Sequence, residues 1–146
     1  FMEHGRRTMS SPLNIPESVS LALHALAKLA STTSKTVKLD DLLIKPGSAD
    51  HLSKVMQKLA RSGMVISRKG RGGGFTLAVD PRDIRLMDVW VALEGTFQSG
   101  SCQYMGRECT LPGCIFGTVF QEASEVVRDY FTRTTLEDLG NLFMES

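Results

Sequence analysis

Three cysteines lie close together in one short stretch, with six residues between Cys102 and Cys109 and four between Cys109 and Cys114. Thiolates that converge from one loop are the soft ligands that iron-sulfur clusters and zinc ions take. Both centres usually have four ligands, so a fourth donor must come from elsewhere. Unpaired thiols crowded into one loop otherwise invite oxidation, which favours an iron-sulfur cluster, either 2Fe-2S or 4Fe-4S. A zinc ion, thiols that form a disulfide on oxidation, and a set without metal are the alternatives.

The chain before these cysteines has the pattern of a helix-turn-helix. Apolar residues recur at helical spacing over residues 18–30 and again, for about two turns, over residues 38–44. A Pro-Gly pair then breaks the helical pattern, and Ser48 can cap a third helix that ends at Gly63. Two helices joined by such a tight turn form a helix-turn-helix.

A β-hairpin and further helices follow this unit. Residues 64–68 and 75–79 read as two strands around a glycine-rich turn. Helical patterns then occupy residues 86–95, 115–132 and 136–143. The predicted fold class is therefore mostly α with a small β-hairpin wing: a winged helix-turn-helix followed by a long C-terminal dimerisation helix.

The same pattern divides the chain into three segments. Residues 13–95 form the predicted winged helix-turn-helix, residues 96–114 the cysteine-bearing loop, and residues 115–146 the dimerisation helix with a short last helix. The long helix carries an apolar stripe that needs a partner. Self-pairing in a two-fold homodimer is the economical solution, and packing back on its own domain is the alternative.

Charge is distributed unevenly along the chain, although its formal net charge is only +1. Residues 45–85 carry nine Lys or Arg against three Asp or Glu, for a net +6, whereas residues 86–146 carry three against nine, for a net −6. A basic middle third indicates a surface that faces nucleic acid. A charged face that is only solvated is the alternative.

The polar face of the third predicted helix and the hairpin turn supply the candidate DNA contacts. Groups near the amino end of the helix suit base edges, whereas those further along suit phosphates; His51 alternatively only supports the turn. A nucleotide-binding loop is disfavoured, because the turn lacks a terminal Gly-Lys-Ser/Thr and leads into a strand. The predicted DNA-binding residues are Ser48, Asp50, His51, Ser53, Lys54, Gln57, Lys58 and Arg61 on the helix, and Arg68, Lys69 and Arg71 in the wing.

Four stretches of the chain carry a family resemblance: residues 20–30, 51–55, 63–78 and 84–95. The most specific parts are the Gly-Gly-Gly-Phe of the wing and the Asp-Val-Trp-Val-Ala-Leu-Glu-Gly that precedes the three cysteines. In these parts the chain resembles the Rrf-type transcription regulators. The resemblance implies a homodimer that crosses its long C-terminal helices and binds a palindromic operator in double-stranded DNA, usually as a repressor.

The resemblance also implies where a fourth ligand lies. One branch of the family uses a histidine shortly after the third cysteine, but Ile-Phe-Gly follows Cys114 here. Another branch uses an acidic residue of the partner subunit near the start of the first helix; the matching position is Ser20, with Glu17 one turn before it. His24, one turn after Ser20, resembles a histidine ligand of other members. We expect His24, or failing that Glu17, to be the fourth ligand; the alternative is that His24 is a core or polar-face histidine that binds no metal.

These features predict a sequence-specific DNA-binding transcription regulator, acting as a repressor, whose affinity for DNA is modulated by an iron-sulfur cluster sensing redox state, nitric oxide or iron. An intact cluster would order the loop after Gly95 and so set the separation of two recognition helices. A regulator with a zinc site or thiol switch is the alternative, and an electron carrier would leave the basic middle third without a role. The sequence contains no catalytic dyad or nucleotide fingerprint that would indicate an enzyme. Without a run of about 18 apolar residues, we expect a cytoplasmic protein with no membrane contact.

Overall fold

The computed structural model describes residues 13–32, 35–98 and 112–144, so the predicted ligands Cys102 and Cys109 lie outside the described residues. Within these ranges the fold is mostly helical with one two-stranded antiparallel sheet, which confirms the predicted fold class. In none of these ranges is a helix both long and apolar enough to cross a bilayer. The elements are α1 (Glu17–Thr32), α2 (Leu39–Leu42), α3 (Ala49–Arg61), β1 (Val65–Arg68), β2 (Gly74–Leu77), a 3-10 turn (Pro81–Asp83), α4 (Leu86–Glu94), α5 (Val119–Arg133) and α6 (Leu136–Met144).

Two helix boundaries differ from those predicted. Helix α2 is a single short turn, because Leu43 is already extended and Ile44 and Gly47 close the following turn with a backbone hydrogen bond. Helix α5 begins at Val119 and not at residue 115, because Gly117 adopts a left-handed conformation (φ 60°) that stops a helix from continuing through it. The apolar residues before this glycine therefore lie on turns, although their spacing suits a helix.

Helix α1 is the centre of the core. It packs against α3, α4 and α6, and its apolar face, which includes Val19 and Leu26, is fully buried. Helix α3 contributes Leu52 and Met56 to the same core. Helix α6 approaches α1 closely: a Cβ at Gly140 would come within 3.0 Å of the Cβ of Ala30. The last helix of the chain thus helps to fix the helix that supports α3.

The wing consists of β1, β2 and the glycine-rich turn between them, paired from Val65 opposite Leu77 to Arg68 opposite Gly74. Phe75 also exchanges two backbone hydrogen bonds with Val37, from N to O at 2.9 Å and 2.8 Å. This third partner was not predicted. It ties the wing to the segment before α2, so the wing is held from two sides.

Gly74→Ala is expected to destabilise the fold by about 2–3 kcal/mol. Gly74 has a φ of 146°, which side-chain-bearing residues rarely adopt, and a Cβ there would clash with the backbone of Val37. Gly72→Ala is the matched control, since Gly72 also has a positive φ (78°) but open space around it, so only about 1 kcal/mol is at stake. Urea unfolding measures both, and equal losses would contradict the proposed clash.

Helix α5 leaves three of its apolar residues exposed. Phe131 is buried and meets Trp90 of α4 edge-on at 5.9 Å, whereas Val126 is 69% exposed and Val119 and Tyr130 are also exposed. The predicted C-terminal segment, residues 115–146, therefore contains two helices with different surroundings: α6 packs on α1 and α5 faces outward. The predicted division into three segments stays a prediction.

Candidate nucleic-acid interface and metal ligands

Helix α3 separates an apolar face from a polar one. Ser48 is its N-cap, and its Oγ accepts a hydrogen bond from the backbone N–H of His51 at 3.3 Å, which satisfies one of the orphan donors of the first turn. Leu52, Val55 and Leu59 are buried against the core. The opposite face is polar, so the predicted contacts on this helix lie on its accessible side.

The predicted base-reading groups at the amino end of α3 have several local hydrogen bonds. His51 shares a 3.0 Å contact between its Nδ1 and Oε1 of Glu17 on α1. Ser53 Oγ accepts from Nε2 of Gln57 at 3.5 Å, while Asp50 is exposed. The structure thus holds His51 from a second element and leaves Asp50 facing solvent.

A basic ridge runs from the middle of α3 to its carboxyl end, formed by Lys54, Lys58 and Arg61 at helical spacing. All three side chains are exposed. Arg61 and Lys58 stand in the last turn, where the helix dipole favours positive charge. The ridge therefore presents cations to solvent without burial, as phosphate contacts require.

The wing carries the other predicted contacts. Arg68, Lys69 and Arg71 are all exposed, around Gly70 and Gly72, which both adopt positive φ. Glycines at such positions let a backbone approach a ligand closely. Where the wing ends, the hydrogen-bonded guanidinium of Arg82 lowers the pKa of the Asp80 carboxyl, so this exposed pair stays ionised.

The pairing of Glu17 with His51 had no signal in the sequence. The two residues are 34 positions apart, and no spacing pattern connects the start of α1 with the first turn of α3. The same pair bears on Glu17 as a candidate ligand. In the structure its carboxylate contacts a histidine of α3.

The third cysteine and the candidate histidine are both described. Cys114 is exposed, and its Sγ accepts a hydrogen bond from the backbone N–H of Phe116 at 3.4 Å. His24 is exposed on α1 and its Nδ1 lies 2.7 Å from the carbonyl oxygen of Ser20. Because a carbonyl only accepts, Nδ1 carries a proton in this contact, and in a neutral ring Nε2 then has the lone pair that a metal needs. The described residues assemble no group of three metal-ligating side chains.

His24 stands at the edge of an apolar groove of about 400 Å³. The groove lies between α1, the start of α4, the end of α5 and α6. Apart from His24 it is almost entirely apolar. Its other lining residues are Leu23, Ala27, Leu86, Tyr130, Phe131, Leu139, Leu142 and Phe143.

Comparison with solved structures supports the fold. CymR, described as the global cysteine regulator of B. subtilis, superposes with a TM-score of 0.70 at 23% identity, over 89% of this chain and 98% of that one. IscR of T. potens superposes with a TM-score of 0.65 at 23% identity, over 88% and 86%. At such identities the likeness establishes a shared architecture.

Relatives in sequence establish the family. A protein of Aquifex aeolicus described as an HTH-type transcriptional regulator is 32% identical over 130 residues, which cover 86% of this chain and 90% of that protein. The transcriptional regulator IscR of Pectobacterium atrosepticum is 30% identical over 72% of this chain and 65% of its own length. The family model for Rrf2, described as an iron-dependent transcriptional regulator, matches residues 15–141. The chain therefore belongs to the Rrf2 family of transcriptional regulators.

Proposed function

We propose that this regulator recognises a specific DNA sequence with α3 and the wing, and that binding represses transcription. The observation that carries the proposal is the division of α3 into a buried apolar face and an exposed face with the basic ridge. The exposed wing cations, Arg68, Lys69 and Arg71, extend this charge beyond the helix. The amino end of α3 would reach base edges in the major groove, while the ridge and the wing would bind phosphates.

The exposed apolar face of α5 supports a homodimer. Val119, Val126 and Tyr130 are exposed on one helix, and Leu142 of α6 is 65% exposed nearby on the groove. A second copy related by a two-fold axis would cover these residues. Two recognition helices would then meet half-sites about 34–36 Å apart, which predicts a palindromic operator.

The donor set fits an iron-sulfur cluster. Cys102, Cys109 and Cys114 would be the thiolate ligands, and His24 Nε2 the fourth donor. The backbone N–H that bonds Cys114 Sγ would stabilise its thiolate, and the Ser20 carbonyl orients the His24 ring. When bound, such a cluster supplies a centre that oxidants, nitric oxide or iron shortage can alter. The description of the family as iron-dependent supports this choice over zinc.

The residues around the start of the cysteine-bearing loop offer a route from this site to α3. Phe97 packs on Trp90 with ring centroids 4.9 Å apart, and the Trp90 indole N–H is buried without an acceptor among the described residues. At the end of the same helix, Glu94 accepts a hydrogen bond from Ser18 of α1 at 2.7 Å. A loop ordered by the cluster would thus act on α4, and through it on α1 and the recognition helix.

Selection from a random duplex library tests the function. The protein, purified under argon, is expected to enrich a palindrome, and its affinity for that palindrome is expected to change at least tenfold when the cluster is removed. Metal and sulfide analysis of the same sample separates iron-sulfur from zinc. Equal affinity with and without the cluster would leave a DNA-binding protein but remove the proposed switch. Reversible loss of binding on thiol oxidation, without metal, would favour a thiol switch.

A further inference from the structure

The contact between Glu17 and His51 joins the amino ends of two helices. Glu17 lies in the first turn of α1, and its side chain is 68% exposed; His51 lies in the first turn of α3, with its side chain 36% exposed. The Nδ1 to Oε1 distance is 3.0 Å. The core does not require this contact, because neither residue is buried.

The contact determines how the imidazole can act. A carboxylate is only an acceptor, so the Nδ1 of His51 must carry a proton. In neutral imidazole one nitrogen donates and the other accepts, and a hydrogen bond to one nitrogen fixes the role of the other. The Nε2 of a neutral His51 is therefore held as an acceptor, on a ring whose orientation is set from α1.

We propose that Glu17 is a positioning residue for DNA recognition: it holds His51 in the tautomer that accepts a hydrogen bond from a base amino group in the major groove. The proposal rests on the proposed function, in which the amino end of α3 meets base edges. Adenine N6 and cytosine N4 are the amino groups that the major groove presents, whereas guanine and thymine present acceptors. His51 thus selects an amino-bearing base at one position of each half-site.

This role differs from that of a fourth metal ligand, for which Glu17 is the second candidate after His24. The hydrogen bond between Glu17 and His51 affects base recognition whether or not the cluster is present. The effect of a substitution at Glu17 should therefore be visible in the cluster-free protein. His24 stays the first candidate for that ligand, because no described hydrogen bond engages its Nε2.

The test compares Glu17→Gln, Glu17→Ala and His51→Ala with the wild type on the selected operator and its single-base variants, all in one buffer. The wild type is expected to prefer adenine or cytosine at one position per half-site by about tenfold. Glu17→Gln keeps an acceptor for Nδ1 and is expected to retain this preference. Glu17→Ala and His51→Ala are expected to reduce it to about twofold or less at that position only. Asp40→Ala, which removes an exposed carboxylate of α2, controls for loss of negative charge.

The outcomes separate this proposal from the proposed function. A wild type that enriches no sequence contradicts sequence-specific binding itself. A wild type that enriches a site, with Glu17→Ala keeping every base preference, overturns the positioning role alone. Loss of the cluster from Glu17→Ala, together with an unchanged base preference, would assign Glu17 to the metal and overturn it too. Thermal melting checks that each variant folds, and His51→Ala tests the same position without changing Glu17.

Discussion

Replacing Lys54, Lys58 and Arg61 together by alanine is expected to weaken operator binding by about a thousandfold at physiological salt. The three side chains form the basic ridge of α3, and in a dimer six positive charges would be removed from the DNA-facing surface. Each phosphate contact releases counterions, so each lost contact lowers the slope of log K against log salt by about 0.9. Fluorescence anisotropy over a series of salt concentrations measures both quantities.

The fold should not contribute to this loss. All three side chains are exposed, and surface substitutions of this kind usually change stability by less than about 0.5 kcal/mol. A triple variant of Lys35, Lys38 and Arg133, also exposed, removes the same charge from other positions. An equal loss of affinity in that control would show that net charge, and not the ridge, determines binding.

The loss should also be uniform across DNA sequences. Phosphates are the same in every operator, so the ridge variant should bind all sequences more weakly while it keeps the order of preference. Substitutions at His51 should instead reduce the base preference at one position of each half-site. A ridge variant with altered base preference would contradict the division of α3 into base-reading and phosphate-binding halves.

Local features of the chain were sufficient to predict most of the fold. The cap at Ser48, the apolar face of α3 and the glycine-rich turn of the wing each depend on residues within a few positions of one another. Such short-range patterns specify helices and hairpins directly. The family resemblance then predicted how these elements combine, and the structure confirms the predicted fold class.

Features that depend on long-range packing could not be predicted. The strand-like pairing of Val37 with Phe75 and the contact of Gly140 with Ala30 join distant parts of the chain. Helix α5 shows a different limit, because apolar spacing continued through residues 115–118 while Gly117 broke the backbone pattern. The spacing of apolar residues predicts which face of a helix can be buried, but it does not predict which element will cover that face.

The candidate site shows the same contrast. Residue types alone predicted the exposed cations of α3 and the wing, because basic side chains stay at the surface wherever they occur. The partner of His51 was not predictable, since it depends on how α1 crosses α3. The role of the three cysteines as cluster ligands is a prediction from residue type and spacing. Of the three, only Cys114 is among the described residues.

Cys114→Ala is expected to abolish the iron-sulfur cluster. Cysteine thiolates are the main ligands of such clusters, and the two thiolates that remain bind the iron atoms much more weakly than three do. The purified variant should be colourless, with iron and sulfide close to background. Ile115→Ala is the matched control, because Ile115 is the next residue and is 77% exposed, so its loss changes neither a ligand nor the core.

The response to DNA gives the second measurement. If the cluster controls affinity, Cys114→Ala should bind the operator as the cluster-free wild type does, before and after attempted reconstitution. His24→Ala keeps all three thiolates but removes the imidazole that the Ser20 carbonyl orients. We therefore expect a cluster that forms but is lost faster in air. A Cys114→Ala protein with the full iron content of the wild type would exclude Cys114 as a ligand. If the wild type contains a full complement of zinc and no sulfide, the site holds a structural zinc ion and not a cluster. The tenfold change in affinity would then need a different trigger.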